Sequence, residues 1–244
     1  MKRILLITLA VLSAVSCKKI TPEMRIAQID RFFDGKEDVY TAKLQQYEGD
    51  KQLDYLNLVL DRDLGAGDIW TIEADGMSSL MAEFPGKDKH AQLSMISASL
   101  DDPAACSAVL SLLEAYKTIK IQHKNTMRVL FYSPARDTTG QNGLVAVNDE
   151  LRASDELILF DIELSTRDTT ARHTFVLEEK PVFAKQLMGA LQPYFAPMGD
   201  YQFKQGTYPN PSWPLKTSIY RYHIDSSDLQ KESAAVTALA FLLN

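Results

Sequence analysis

The chain has 244 residues, of which 45% are hydrophobic and 24% are charged, a composition typical of a globular protein and not of a disordered, collagenous or coiled-coil chain. Its 26 basic and 32 acidic residues give a net charge of −6, which leaves no basic surface to neutralise a phosphate backbone. We therefore expect no nucleic-acid partner. The two cysteines, Cys17 and Cys106, exclude a disulfide scaffold and a multi-cysteine zinc site.

The first residues have the pattern of an export signal. Lys2 and Arg3 precede an apolar run over 4–15, which is shorter than the ~20 residues needed to cross a bilayer. Small residues then lead directly to Cys17, as in a bacterial lipoprotein signal, where the cysteine becomes the lipidated N-terminus. An ordinary signal peptide cut near Ser16 is the alternative.

This pattern predicts three segments: a lipoprotein signal peptide over 1–16, a lipidated tether over 17–23 and one folded domain over 24–244. The predicted location is the bacterial envelope, with the lipid in the outer membrane and the domain in the periplasm or on the cell surface. Cys106 lies on an apolar helical stretch, which favours a buried structural thiol.

The domain is predicted to begin with helices, since Pro22 is suited to a first helical turn and apolar residues recur at helical spacing over 26–33 and again over 53–60. The Gly65-Ala66-Gly67 break ends this part. Strands are predicted at 69–74, 79–84, 93–98, 127–133, 157–164, 174–178 and 217–222, and helices at 103–116, 181–191 and 227–243. The Pro-rich segment 193–214 is predicted to be an ordered loop. Strands that alternate with helices indicate an α/β domain.

Candidate ligand side chains stand at the carboxyl ends of these strands, where α/β sheets carry their chemistry. They are Asp102 after the third strand, Asp161 within the fifth and His223 after the last, and zinc prefers carboxylate and imidazole ligands. Each has a second interpretation: Asp102 as only a helix N-cap, Asp161 as an exposed residue and His223 as a structural or surface histidine.

Five segments, in order, resemble the zinc-dependent aminopeptidase family, which includes bacterial leucyl aminopeptidases, glutaminyl cyclases and the protease-like domain of the transferrin receptor. The segments are 84–88 (FPGKD), 101–106 (DDPAAC), 124–132 (KNTMRVLFY), 159–162 (LFDI) and 221–223 (RYH). The resemblance implies a three-layer zinc-exopeptidase-like domain with a central mixed, mostly parallel sheet flanked by helices. It would make Asp102 the carboxylate that bridges two zinc ions, Asp161 a ligand of one and His223 a ligand of the other.

The other positions of the family's site differ in this chain. Ser99 stands where the family has its first histidine ligand, and Ala135 and Arg136 replace a Glu-Glu pair that supplies the general base and a zinc ligand. Arg136 places a permanent positive charge beside the site and could pair with Asp102 or Asp161 instead of a metal.

We assign Ser99, Asp101, Arg136 and Glu163 to the predicted cleft. Glu163 shares a strand face with Asp161 and is a candidate replacement base, but the family's pattern has no base at its position.

Loss of a positioned general base typically costs about 10²- to 10⁴-fold in rate. We therefore predict an inactive homologue of a zinc aminopeptidase, without a resident cofactor, that binds a peptide or protein partner. One alternative is an active zinc metallopeptidase with a reduced site of Asp102, Asp161 and His223, and another is a structural envelope protein with no ligand in its cleft.

Overall fold

The computed structural model describes residues 22–34, 36–74, 76–87, 93–121, 125–134, 147, 158–166, 174–177, 202–205 and 218–225. The helices are α1 (Pro22–Phe33), α2 (Val39–Leu44), α3 (Asp50–Leu58), a π-helical segment (Val59–Leu64) and α4 (Pro103–Ile119). The strands are β1 (Asp68–Ala74), β2 (Met77–Phe84), β3 (Leu93–Ser99), β4 (Thr126–Tyr132), β5 (Ile158–Ser165), β6 (Thr174–Leu177), β7 (Gln202–Gln205) and β8 (Ser218–Asp225). Among the described helices, none has the length and apolar character needed to cross a membrane.

The predicted signal peptide and Cys17 lie outside the described residues, so export and lipidation stay predictions. Helix α1 begins at Pro22, as the sequence predicts, and its first turn contains the last two residues of the predicted tether. Gly65, at a φ of 75°, ends the π-helical segment in the left-handed region, which glycine adopts without steric cost.

The described strands form one mixed sheet in the order β1-β2-β4-β3-β5-β8-β6-β7. Four of their seven pairings are parallel (β3 with β4, β3 with β5, β5 with β8, and β6 with β7). The other three are antiparallel. The prediction of a mixed, mostly parallel sheet is therefore confirmed. It also follows that β4, β3, β5 and β8, which are neighbours and all parallel, end at the same edge.

One face of the sheet, which we call the helical face, packs against α4 and the N-terminal helices. Its strands contribute Leu80, Ala82, Ile96, Ala98, Val129, Phe131, Ile162 and Leu164. Helix α4 is buried over most of its circumference, because it carries small and apolar residues all round. The opposite face has a smaller apolar cluster that includes Met81, Met95, Leu130 and Val147. The helices predicted at 181–191 and 227–243 lie outside the described residues.

Two details of the sheet correct the sequence predictions. The segment 193–214, predicted to be a loop, contains β7, a polar four-residue strand that pairs in parallel with β6. His223 was predicted to follow the last strand but lies within β8, because β5 and β6 on its two sides pair with the chain as far as Asp225.

The N-terminal helices are attached to α4 by polar side chains. Asp38 caps α2 and also accepts a hydrogen bond of 2.5 Å from the Ser107 hydroxyl. Burial alone would raise the pKa of Asp38, but the hydrogen bonds from Ser107, Thr41 and Tyr40 outweigh this effect and the pKa lies below its usual value. Glu114 of α4 accepts hydrogen bonds from Lys36 and from the Tyr40 hydroxyl, at 2.5 and 3.0 Å.

Candidate functional site

The candidate site lies at the carboxyl edge, which we define as the ends of β3, β4, β5 and β8 with the residues that follow them. Ser99 is the last residue of β3, Tyr132 of β4 and Ser165 of β5. Because these strands are parallel neighbours, residues far apart in sequence meet at this edge.

Asp102 is a buried carboxylate held by the protein's own hydrogen-bond donors. One of its oxygens, Oδ1, accepts from the backbone N–H of Ala105 at 3.0 Å and from the Thr166 hydroxyl at 2.7 Å. Its second oxygen, Oδ2, accepts the backbone N–H of Thr166 at 2.6 Å. Asp102 is therefore the N-cap of α4, as the sequence predicts, and it also joins the start of this helix to the residue that follows β5.

Ser99 and Asp101 form a second polar pair at this edge. The Ser99 hydroxyl, which is buried, donates to the Asp101 carboxylate at 2.5 Å. The Ser99 carbonyl accepts from the Cys106 thiol at 3.2 Å. Cys106 is fully buried, which confirms the prediction of a structural thiol. Burial raises the pKa of this thiol well above its usual value, and the negative charges of Asp102 and Asp101 add to the effect, so Cys106 is a poor nucleophile.

Glu163 is a buried carboxylate on the face of the sheet opposite α4, and it accepts a hydrogen bond from the Tyr132 hydroxyl. Tyr132 is the last residue of β4, and β3 lies between the two strands. The Ser97 hydroxyl of β3, in register with Glu163, is fully buried and has no hydrogen-bond partner. The buried carboxylate is thus paired with a phenol, which supplies one of its oxygens with a hydrogen-bond donor.

Asp161 and His223 are placed by strand register. Asp161 lies opposite Met95 of β3 and Arg221 of β8, and His223 lies opposite Glu163. The topology therefore brings the two candidate ligands to neighbouring strands, two register positions apart. Ala135 and Arg136 lie outside the described residues, so the predicted pairing of Arg136 with Asp102 or Asp161 stays a prediction.

Sequence reasoning did not assign site roles to Thr166 and Tyr132. Thr166 is the first residue after β5, and nothing in its local sequence marks it as a partner of Asp102. The sequence does give one signal for Tyr132, since a buried tyrosine at the end of an apolar strand needs a partner for its hydroxyl.

The described side chains do not by themselves make up the zinc site that the resemblance implies, since those of Asp161 and His223 lie outside the description. Both oxygens of Asp102 already accept hydrogen bonds from the protein, and Ser99 has no imidazole to offer as a ligand. Among the side chains that the structure describes, no group of three or more His, Cys, Asp or Glu residues could hold a metal ion. Zinc prefers three or four such ligands.

A cavity of about 540 Å³ opens beside this edge. Its walls come from the end of α2 and the start of α3, from the turn between β1 and β2, and from the residues that follow β3 and β4. Asp101 and Ser133 belong to its lining, so the cavity borders the carboxyl edge directly. Its volume is within the range of ligand-binding pockets, roughly 300–1,000 Å³.

The strand order, the helical layer and the carboxyl edge together define an α/β fold of the zinc-exopeptidase type. No protein-family model matches the sequence, and no curated protein matches it. The similarity is instead to solved structures, and it confirms the predicted fold class.

Three of these structures span most of the chain. The LapA aminopeptidase of Legionella pneumophila is 14% identical, with a TM-score of 0.59 over 93% of this chain and 72% of that one. A glutaminyl cyclase of Macrostomum lignano is 12% identical, with a TM-score of 0.58 over 88% and 91% of the two chains. A leucine aminopeptidase precursor of Bacteroides thetaiotaomicron is 11% identical, with a TM-score of 0.56 over 91% and 96%. At such identities the similarity shows a shared fold and nothing more.

Proposed function

We propose that this protein is a binding protein with a zinc-exopeptidase-like fold, in which the catalytic centre is degenerate and the carboxyl edge recognises a peptide or protein partner. The proposal requires that the fold be stable without a metal, that the hydrolytic groups be missing and that a binding surface remain.

The observation that carries this proposal is the hydrogen bonding of Asp102. A buried carboxylate needs compensation for its lost hydration, and in a metalloenzyme a metal ion provides part of it. Here the backbone N–H groups of Ala105 and Thr166 and the Thr166 hydroxyl provide it instead. The carboxylate at the centre of the edge is therefore accounted for by the chain alone.

Two further features support the absence of hydrolysis. The position of the family's general base is Ala135, whose methyl group cannot take a proton. The carboxylate of Glu163, the candidate replacement base, is buried and already accepts a hydrogen bond from Tyr132.

A second candidate function, an active metallopeptidase with a reduced site, is favoured by one observation. Asp161 and His223 lie on the neighbouring strands β5 and β8, two register positions apart. A single zinc ion held by these three residues would supply a Lewis acid and lower the pKa of a bound water. Because three of the family's five ligand positions are retained, this function has to be tested directly.

The experiment that separates the two functions measures zinc content and peptidase turnover of the same purified protein. We expect less than one tenth of a zinc ion per chain and no turnover of leucyl-, methionyl- or glutaminyl-anilide substrates above that of the His223→Ala variant. Stoichiometric zinc together with turnover that His223→Ala abolishes would overturn the proposal in favour of the peptidase. His123→Ala is the matched control, since it removes an imidazole from a position with no proposed role.

We also propose that the protein is exported and anchored by a lipid on Cys17, which is supported by the charged start, the short apolar run and the small residues before this cysteine. Metabolic labelling with a fatty acid should mark the protein and fail to mark Cys17→Ser. Labelling of Cys17→Ser at the same level would contradict the proposal.

A further inference from the structure

We infer that the cavity beside the carboxyl edge binds a lysine or arginine side chain of an extended polypeptide. This inference rests on the proposed binding function and names the chemistry of the partner. It concerns a pocket built largely by the N-terminal helices and not the positions that correspond to the family's metal ligands.

The negative charge of the lining indicates that the ligand is positively charged. Three carboxylates, those of Glu48, Asp50 and Asp101, line the cavity, and none of its described lining residues is basic. All three are exposed residues, so they face solvent from which a ligand enters. A cation in this cavity gains from all three charges, whereas an anion is repelled by each of them.

The spacing of these carboxylates favours an organic cation over a metal ion. They are all among the described side chains, and those side chains contain no group of three acidic residues close enough to hold a metal. Carboxylates that are spread over a wall suit an ammonium or guanidinium group, which can donate to several separated acceptors through its N–H groups.

The remaining walls suit the aliphatic part of a basic side chain. Leu44, Leu53 and Leu100 contribute apolar surface, and Pro103 and Pro134 add to it. Lysine and arginine carry alkyl stems that pack on such surface while the charged group stays near water. Tyr47 is also part of the lining, and the volume of about 540 Å³ suits a ligand larger than a small amine, so we assign the occupant as a polypeptide.

The walls are held in place before any ligand binds. Gln52 of α3 is buried, and its side-chain amide donates to the Leu100 carbonyl at 2.8 Å, which joins the helix to the residue after β3. Asp101 is positioned by the Ser99 hydroxyl. Because these side chains are already ordered, ligand binding has a smaller entropic cost.

The test uses the purified protein and a peptide with both termini blocked, acetyl-Ala-Leu-Lys-Leu-Ala-amide, compared with the same peptide containing acetyl-lysine. Blocked termini remove recognition of a free N-terminus, so the basic side chain alone is examined. Isothermal titration calorimetry should show binding of the lysine peptide, and at least about threefold weaker binding of its acetyl-lysine counterpart, because one charge faces three carboxylates. Affinity should also fall when salt is raised from about 0.01 to 0.1 M, since the Debye length shortens from about 30 to 10 Å.

The variants locate the binding site. Glu48→Gln together with Asp50→Asn should weaken binding by about 2- to 25-fold, that is, by about 1.4- to fivefold for each exposed charge pair removed. Asp54→Asn together with Asp61→Asn is the matched control, because it removes two exposed carboxylates from the same helical region but outside the cavity lining, and it should leave the affinity unchanged. Glu48→Gln alone changes only an exposed residue between two helices, so it keeps the test valid even where the double variant folds poorly.

Three results would overturn the inference: no binding of the lysine peptide at about 1 mM, equal binding of the acetyl-lysine peptide, or equal weakening by the control pair. Full competition by butylammonium at the peptide's own concentration would overturn the assignment to a polypeptide. None of these results bears on zinc content or turnover, so this inference can fail while the proposed function stands. Stoichiometric zinc with turnover would refute the proposed function whether or not the peptide binds.

Discussion

The helical face and the carboxyl edge of the sheet are stabilised by different interactions, although β3, β4 and β5 contribute to both. On the helical face, apolar side chains such as Phe131 and Ile96 are fully or almost fully buried against α4. At the carboxyl edge, Asp102, Glu163 and Ser99 are also buried but polar, and each is hydrogen-bonded to a neighbour at the same edge.

This difference would let the fold persist while the site changes, as the proposed function requires. Apolar packing tolerates exchanges of similar volume, so a helical face can be kept at 11–14% identity. A buried carboxylate needs a partner, whichever residue or ion supplies it. In this chain Thr166 and Tyr132 supply the partners, so Asp102 and Glu163 have hydrogen-bond donors from the protein itself.

The largest effect should come from the helical face. Phe131→Ala removes a fully buried ring and should lower the free energy of unfolding by about 3–5 kcal/mol, measured by denaturant titration. Leu58→Ala, at a residue that is 45% exposed, should change it by less than about 0.5 kcal/mol. A Phe131→Ala effect below about 1 kcal/mol would contradict the assignment of this face as the main core.

The second-largest effect is expected at the carboxyl edge. Asp102→Ala removes the cap of α4 and leaves the Thr166 donors unpaired, so it should destabilise the metal-free protein by about 2–4 kcal/mol. The measurement is denaturant unfolding in the presence of a chelator. If Asp102 served only as a metal ligand, its removal would leave the stability of chelated protein unchanged or increase it.

The substitution Tyr132→Phe tests the hydrogen bond to Glu163, the second buried carboxylate at this edge. Loss of the hydroxyl leaves Glu163 with one donor fewer in a buried position, which should cost about 1–3 kcal/mol in the free energy of unfolding. A double-mutant cycle with Glu163→Gln should give a coupling energy above about 0.5 kcal/mol, and additivity of the two changes would argue against a direct pair.

The smallest effect concerns the attachment of the N-terminal helices. Ser107→Ala removes one of the hydrogen bonds that lower the pKa of Asp38 and should cost about 1 kcal/mol at neutral pH. A lowered folded-state pKa contributes stability above the unfolded value and loses it as the pH falls through the folded value. The difference between wild type and Ser107→Ala should therefore shrink below about pH 3.8. A difference that is constant between pH 2 and 7 would show that Asp38 is not involved.

The sequence was most informative where structure is decided locally. Asp102 followed by Pro103 predicts a helix start, and α4 begins there with Asp102 as its cap. The apolar runs of β3, β4 and β5 likewise predict buried strands to within one or two residues at each end. In contrast, β7 has a polar pattern over four residues and becomes a strand only by pairing with β6, so its sequence carries no strand signal.

The partners of the buried carboxylates could not be predicted either, because they too depend on contacts between segments that are far apart in the sequence. Thr166 is 64 residues from Asp102, and Tyr132 is 31 residues from Glu163. Each pair forms only because parallel strands bring distant residues to one edge, and a hydroxyl in the sequence does not indicate which carboxylate it will meet. The sequence did identify Asp102 and Glu163 as residues that matter at this edge, but not how their charges are satisfied.

The central claim is that the carboxyl edge is complete without a metal, and zinc-dependent stability tests it most directly. A zinc ion that binds only the native state stabilises it by about 2.7 kcal/mol at 100 times its dissociation constant. We predict that the unfolding midpoints of the protein with excess zinc and with a chelator agree within the error of the measurement. A stabilisation by zinc that Asp102→Ala and His223→Ala both abolish would contradict the account.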